Sequence, residues 1–173
     1  MNRTQLIAVG LVSAVCLGWV WTNAAEEAKT EWTAMTVPGT WEELAPKQFG
    51  NYDGYAWYRC EVVVPDDWKG LELQLSVEKV DNAHEAYFNG RRIGGTGSFP
   101  PNYESGLASK PQYYPVSVSY VKPGEKNVIA FRVYDAEGRG GFKGKAPVLM
   151  AAEHAIVLKG NWQFHTGDDK KWA

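Results

Sequence analysis

The sequence is poor in cysteine and has no excess of positive charge. It contains two cysteines among 173 residues, and Cys16 lies inside an N-terminal apolar run. If that run is removed, Cys60 alone remains and no internal disulfide can form. The alternating strand pattern around Cys60 predicts a buried apolar side chain. Because the formal net charge of −2 at pH 7 provides no basic surface for nucleic acid, we expect no nucleic-acid partner.

The usual motifs of metal centres and hydrolases are also missing. His84, His154 and His165 have no H-x-x-x-H spacing, and no G-x-S-x-G motif is present to hold a serine nucleophile. The glycine-rich residues 94–97 have no lysine and no predicted helix after them, which argues against phosphate binding. We therefore expect neither catalytic residues nor a cofactor.

Residues 80–94 contain two carboxylates, a histidine, two arginines and an Asn-Gly pair. Asp81 and Glu85 share one face of an extended strand, where they would lie about 13 Å apart. That distance exceeds the roughly 5 to 9.5 Å between the paired carboxylates of glycosidases. Asn89 and Gly90 are typical of a type I′ turn, because both residues tolerate positive φ angles. The pattern therefore predicts a β-hairpin rather than a catalytic site.

The N-terminus has the layout of a secretory signal peptide. Arg3 precedes an apolar run at residues 6–21, and small residues follow it. The run is shorter than the about 20 residues that span a bilayer. We expect residues 1–24 to be a signal peptide, so that the protein is exported to the periplasm, the cell surface or the medium, with no membrane contact after cleavage. A retained membrane anchor is the alternative.

Between residues 31 and 158 the apolar side chains recur mostly at every second position, separated by Gly, Pro and Asp. This period is typical of β-strands, and no long amphipathic helix is visible. Many short strands predict an all-β antiparallel sandwich or barrel. Three long irregular segments interrupt them, and loops of such length are uncommon unless they are functional. These segments are 38–55, 94–112 and 135–147.

Five motifs occur in a fixed order along the chain. They are V-P-G-T-W (37–41), G-Y-A-W-Y-R (54–59), V-D-N-A-H-E-A-Y-F-N-G (80–90), G-E-K-N-V-I-A-F-R-V-Y-D (124–135) and G-R-G-G-F (138–142). Together they resemble the sugar-binding domain that precedes the catalytic barrel in family-2 glycoside hydrolases. The resemblance implies a jelly-roll β-sandwich of the galactose-binding-like type. No barrel is present, so we expect a non-catalytic module unless the chain is a fragment of a larger glycoside hydrolase or esterase.

The resemblance also implies where a sugar would bind. A polar residue before the G-x-Y strand corresponds to Asn51 or Asp53, and the aspartate before the G-G-F turn corresponds to Asp135, with Arg139 nearby. We expect these loops to meet on one concave face that also includes Tyr52. The hairpin acids Asp81 and Glu85 are expected to pair with Arg139.

Aromatic side chains in the irregular segments suit the apolar face of a pyranose ring, whereas Asp, Asn and Arg suit its hydroxyl groups. Phe99, Tyr103 or Phe142 is therefore expected to form the apolar wall of the site. The alternative is that these rings close the ends of the sandwich. Folds of this type also hold structural calcium in their loops, and Asp81, Glu85 and Asp135 are its candidate ligands.

These observations predict a β-sandwich domain at residues 25–158 whose partner is a carbohydrate. The alternative is an interaction or structural module that docks on an exported enzyme, a catalytic domain or an electron-transfer domain and has no affinity for sugar. Residues 159–173 resemble the segment that opens such domains. They are predicted to be either a C-terminal extension that packs on the sandwich or the start of a further module.

Overall fold

The computed structural model describes residues 31–106 and 111–173, so the predicted signal peptide lies outside the described residues. Two four-residue helices, α1 (Trp41–Leu44) and α2 (Pro46–Phe49), precede the long strands. No helix within the described ranges is long and apolar enough to cross a membrane. Short 3-10 turns lie at Asp66–Trp68, Val118–Tyr120 and Lys170–Trp172.

Thirteen β-strands make up about half of the described chain. They are β1 (Thr33–Val37), β2 (Gly39–Thr40), β3 (Gly54–Val63), β4 (Leu73–Val77), β5 (Val80–Asp81), β6 (Ala83–Phe88), β7 (Arg91–Thr96), β8 (Gln112–Val116), β9 (Lys126–Asp135), β10 (Gly141–Phe142), β11 (Val148–Ala151), β12 (His154–Val157) and β13 (Gly160–Thr166).

The strands form three sheets, and the pairings within them are antiparallel. The largest has the order β1-β13-β3-β9-β6-β7, and the second has the order β12-β11-β4-β8. A small sheet, β2-β10-β5, is built from two-residue strands. The predicted all-β sandwich is confirmed.

Alternation of side chains builds the core between the two large sheets. Leu73, Leu75 and Val77 of β4 are buried, and they pack in one cluster with buried side chains of β9 such as Phe131. Burying one such side chain stabilises the fold by about 1.5–3 kcal/mol. The polar residues between them on β4, such as Gln74, are on the opposite, more exposed face.

The six-stranded sheet is covered on both faces in its centre. Trp57 and Tyr58 are consecutive residues of β3 and both are fully buried, although they point to opposite faces. Tyr58 belongs to the core between the sheets, whereas Trp57 packs in a second cluster with Tyr87. Trp172, near the C-terminus, packs against this second cluster. Because both faces of the sheet are covered here, the residues around Trp57 are apolar at consecutive positions and do not alternate with polar ones.

Residues 159–173 contribute directly to this architecture. β13 lies between β1 and β3, and its Phe164 is opposite Tyr58 of β3. Beyond β13, the Gly167 N–H donates to the carbonyl of Tyr55 (2.8 Å), and the last turn returns over the outer face of the six-stranded sheet.

The hairpin predicted at the Asn-Gly pair is confirmed. Asn89 and Gly90 have φ angles of 47° and 76° and connect β6 to β7. The Asn89 amide also holds the turn in place, since its Nδ2 donates to the carbonyl of Tyr120 (2.8 Å) and its Oδ1 accepts from the N–H of Val128 (2.8 Å).

Candidate ligand-binding cleft

The small sheet brings together three loop segments that are distant in the sequence. Gly141 of β10 pairs with Thr40 of β2 on one side and with Asp81 of β5 on the other. Gly141 has a φ of 114°, a conformation that L side chains rarely adopt. A Cβ atom there would lie 2.8 Å from the Tyr58 hydroxyl and 2.8 Å from the Gly39 carbonyl oxygen. Only glycine therefore fits this position without displacing its neighbours.

A cleft of about 440 Å³ opens beside this sheet. Its volume lies within the range of roughly 300–1,000 Å³ that is typical of small-molecule sites. Four of its side chains carry polar or charged groups, and Pro38 and Phe142 add apolar surface. The lining residues are Pro38, Gly39, Thr40, Glu43, Arg139, Phe142, Lys143 and Gly144.

Two ion pairs fix the charged groups of the cleft. Arg139 Nη1 donates to Glu43 Oε1, and both side chains are more than half exposed. Lys143 Nζ donates to Asp81 Oδ2, and this pair is largely shielded from solvent, with exposed fractions of 25% and 16%. The predicted pairing of Arg139 with Asp81 or Glu85 is wrong, because α1 supplies a nearer carboxylate from Glu43.

Asp135, the last residue of β9, is fully buried. Neither carboxylate oxygen has a hydrogen-bond partner among the described residues. Burial raises the pKa of Asp135 to about 7, and the charges of Asp81, Glu42 and Asp53 raise it as well, whereas Lys143 lowers it. The carboxyl group therefore keeps its proton to a much higher pH than an ordinary aspartate, and it lies within electrostatic reach of Lys143 in the cleft.

Two further buried polar atoms near the small sheet have no hydrogen-bond partner among the described residues, the Tyr58 hydroxyl and Thr40 Oγ1. Burial raises the pKa of Tyr58 well above its ordinary value, with a smaller effect from Glu42. Buried polar atoms are usually paired, so these two atoms are exceptions among the described residues.

A second polar cluster surrounds Arg132. Its Nε and Nη2 donate to the two carboxylate oxygens of Asp168 at 2.5 and 2.6 Å, and its Nη1 donates to Glu85 at 3.2 Å. The guanidinium carbon lies 3.9 Å from the ring centroid of Phe99 and 4.9 Å from that of Tyr55. We call these five residues the Arg132 cluster.

The Arg132 cluster and Asp135 lie on opposite faces of the six-stranded sheet. Arg132 and Asp135 are three positions apart on β9, and side chains an odd number of positions apart point to opposite faces of a strand. Arg132 is opposite Trp57 in the register with β3, on the face covered by the C-terminal turn. The sequence predicted one shared concave face, and the structure separates it into two.

The predicted site residues are divided accordingly. Asp81, Arg139 and Phe142 lie at the cleft or at its small sheet, and Asp53 and Asp135 are within electrostatic reach of each other. Three predicted residues belong elsewhere: Glu85 and Phe99 are in the Arg132 cluster, and Tyr103 packs against the ring of Tyr134 at 5.3 Å.

The expected apolar wall is therefore incorrect for Phe99 and Tyr103. Phe142 does line the cleft, but it is only 1% exposed, because it packs in the core against Tyr58 and Phe131. Its role as a sugar platform is not supported by this burial.

The loop before β3 also differs from the expectation. Tyr52 is half-buried, its hydroxyl donates to the carbonyl of Tyr55 at 2.6 Å, and its own carbonyl accepts from Trp41 Nε1 at 3.0 Å. Tyr52 therefore closes an end of the sandwich, which was the alternative interpretation of these rings. Asn51 and Asp53 are exposed.

Sequence reasoning missed Glu43, Lys143, Arg132 and Asp168. The first two follow the V-P-G-T-W and G-G-F motifs closely, so their position beside these motifs was a usable signal. Arg132 and Asp168 are 36 residues apart, and no local pattern connects them.

No group of three His, Cys, Asp or Glu side chains within residues 31–106 and 111–173 is arranged to hold a metal ion. Of the three candidate calcium ligands, Asp81 is paired with Lys143, Glu85 is paired with Arg132 on the other face, and Asp135 is buried. Calcium binding therefore stays a prediction without support from this geometry.

No protein-family model matches the chain, and no curated protein matches it. Solved structures with partial similarity include β-glucuronidase from Ruminococcus gnavus. In its complex with uronic isofagomine, the match has 22% identity and a TM-score of 0.48, and covers 58% of this chain and 15% of that chain. In its complex with D-glucuronic acid, the match has 23% identity and a TM-score of 0.40, and covers 49% of this chain and 13% of that chain.

The chain thus spans less than a fifth of the length of these β-glucuronidase chains. At these values the similarity assigns neither a family nor an activity to this chain.

Proposed function

We propose that this chain is a non-catalytic carbohydrate-binding module of an exported protein, with its binding site in the cleft beside the small sheet. The observation that carries the proposal is the cleft itself. Its lining combines hydrogen-bond donors of Arg139 and Lys143 with acceptors of Glu43, in a volume of about 440 Å³ that suits one or two sugar rings.

The chemistry of the lining matches that of sugar hydroxyl groups. A hydroxyl both donates and accepts hydrogen bonds, so it binds best where donors and acceptors lie side by side. The Arg139–Glu43 pair presents a guanidinium beside a carboxylate, and both side chains are more than half exposed. Pro38 supplies apolar surface for the C–H groups of a ring.

Asp135 supports the cleft from inside rather than by contact, since it is fully buried. Its charge acts on Lys143, which also pairs with Asp81. We therefore assign Asp135 a positioning role and expect the ligand to contact Lys143, Arg139 and Glu43.

The acids around the cleft suit binding better than catalysis. Glu43 and Asp81 are each paired with a cation, Arg139 and Lys143 respectively, and so hold the donors of the cleft in position. Asp135 has a pKa of about 7, which would suit a general acid, but its carboxyl group is not accessible to a substrate in the cleft.

Binding of the folded chain to a glycan array, followed by calorimetric titration with the saccharides retained, tests the proposal. Arg139→Ala removes a donor from the cleft and should weaken binding at least about tenfold, the effect of one lost charged hydrogen bond. Arg91→Ala is the matched control, since Arg91 is an exposed arginine on β7 that does not line the cleft. If no saccharide is retained, the proposal is wrong, and the alternative of a module that docks on another protein is favoured. Equal losses in both variants would place the site elsewhere.

A further inference from the structure

We infer that the cleft accepts neutral saccharides and rejects saccharides that carry a carboxylate, such as uronic acids. This inference rests on the proposed function and adds the chemical class of the ligand. It follows from how the cations near the cleft are paired and from the excess of acids around them.

Each cation of residues 138–145, which comprise the G-R-G-G-F motif and the three residues after it, already has a carboxylate partner. Arg139 is paired with Glu43 of α1, and Lys143 with Asp81 of β5. Lys145 is the third, and its Nζ lies 3.0 Å from Glu78 Oε1. The three carboxylates come from three different places in the fold, so the pairing is general along this segment.

A carboxylate on the ligand would have to compete with these partners. A carboxylate that binds Arg139 either displaces Glu43 or lies beside it, and one that binds Lys143 meets Asp81, which is only 16% exposed, in the same way. In either case two carboxylates come close together, and like charges in such proximity repel. A neutral hydroxyl can instead bond to the paired groups without separating them, because each carboxylate oxygen accepts more than one hydrogen bond.

The surroundings add further negative charge. Glu42 and Asp53 act on Asp135, and both of them raise its pKa, as does Asp81. Glu42 also accepts hydrogen bonds from the N–H of Gly140 at 3.1 Å, which places its carboxylate beside the loop that carries Arg139. The acids near the cleft therefore outnumber the cations, and the local field opposes an anionic ligand.

The Arg132 cluster contains a carboxylate that is bound through both of its oxygens. Arg132 presents its guanidinium fork to both oxygens of Asp168, at 2.5 and 2.6 Å, between aromatic rings. That bidentate geometry is the arrangement favoured for carboxylate recognition. In the cleft, by contrast, Arg139 contacts Glu43 through Nη1 alone.

The test uses matched saccharides that differ only at C6. Titration calorimetry of the folded chain would compare oligosaccharides ending in galactose or glucose with those ending in galacturonate or glucuronate. We expect the neutral member of a pair to bind at least about tenfold more tightly at 20 mM salt. The difference should narrow at 500 mM salt, because salt screens charges more than a Debye length apart.

A variant tests the cause. Glu43→Gln removes a negative charge and frees Arg139, so it should raise affinity for the uronates severalfold and reduce the discrimination. Glu61→Gln is the matched control, because Glu61 forms an exposed ion pair with Lys126 that lies away from the cleft. Discrimination that is unchanged in E43Q would overturn the charge argument.

The outcomes separate the inference from the proposed function. If uronates bind as tightly as their neutral counterparts, or more tightly, the inference is wrong and the carbohydrate-binding function stands. If neither member of any pair binds, the proposed function is wrong and the inference falls with it.

Discussion

Arg132 and Asp168 are joined by two parallel hydrogen bonds, of 2.5 and 2.6 Å, that tie the end of the chain to the outer face of the six-stranded sheet. Arg132 is 7% exposed in its side chain and Asp168 is 33% exposed. The same guanidinium also bonds to Glu85, and so one buried cation organises a strand, a hairpin and the C-terminal segment.

The first prediction concerns this contact. Asp168→Asn keeps the shape of the side chain and removes its charge, so it should lower the free energy of unfolding by about 1–3 kcal/mol. This loss of stability is smaller than the loss expected on breaking a fully buried ion pair, because Glu85 still neutralises Arg132 and Asp168 is partly exposed. Urea unfolding followed by tryptophan fluorescence measures it.

Asp67→Asn is the matched control for this experiment, since Asp67 is an exposed aspartate in the 3-10 turn at Asp66–Trp68. Its free energy of unfolding should stay within about 0.5 kcal/mol of the parent protein. Equal values for D168N and D67N would show that the C-terminal segment is held by its aromatic contacts instead.

Local sequence patterns predicted those parts of the fold that depend on local periodicity. Leu73, Leu75 and Val77 alternate with polar residues and are buried as expected. Asn89-Gly90 forms its turn because the conformation required there is a property of these two residues.

The parts that were not predicted depend on contacts between distant segments. β13 lies between β1 and β3 in the six-stranded sheet, and no local signal shows that a strand at 160–166 pairs with one at 33–37 and another at 54–63. The small sheet consists of two-residue strands, which are too short to show a period. The predicted partner of Arg139 was wrong for the same reason, because the observed partner, Glu43, is 96 residues away in the sequence.

The second prediction concerns Asp135 and pH. Its pKa is raised to about 7 in the folded chain, against an ordinary value near 3.8. Between these two pH values the unfolded chain has lost the proton that the folded chain retains. Asp135 therefore favours the folded state at low pH. Its contribution to the free energy of unfolding falls by up to about 4 kcal/mol as pH rises from its ordinary pKa through 7. Asp135→Asn removes this dependence.

Urea unfolding of the parent protein and of D135N at intervals from pH 4 to pH 8 measures the effect as a difference between the two proteins. The difference is needed because buried His84 has the opposite effect, with its pKa lowered to about 4 by burial. His84 stabilises the fold above its ordinary pKa of 6.5, and that contribution is lost as pH falls toward 4. D135N should therefore lose stability on acidification more steeply than the parent. If the free energy of unfolding has the same dependence on pH in both proteins, the pKa of Asp135 is not raised in the folded chain.

The third prediction concerns the small sheet that supports the cleft. Gly141→Ala places a Cβ atom 2.8 Å from the Tyr58 hydroxyl and 2.8 Å from the Gly39 carbonyl, at a φ of 114°. Gly138→Ala meets a similar backbone restriction, with a φ of 93°, but nothing lies within 4 Å of its Cβ. G138A should cost about 1–2 kcal/mol from backbone strain alone, and G141A about 2 kcal/mol more from the contacts. Thermal unfolding of both variants measures this, and equal losses would mean that β2 and β10 are not held as closely as the structure shows.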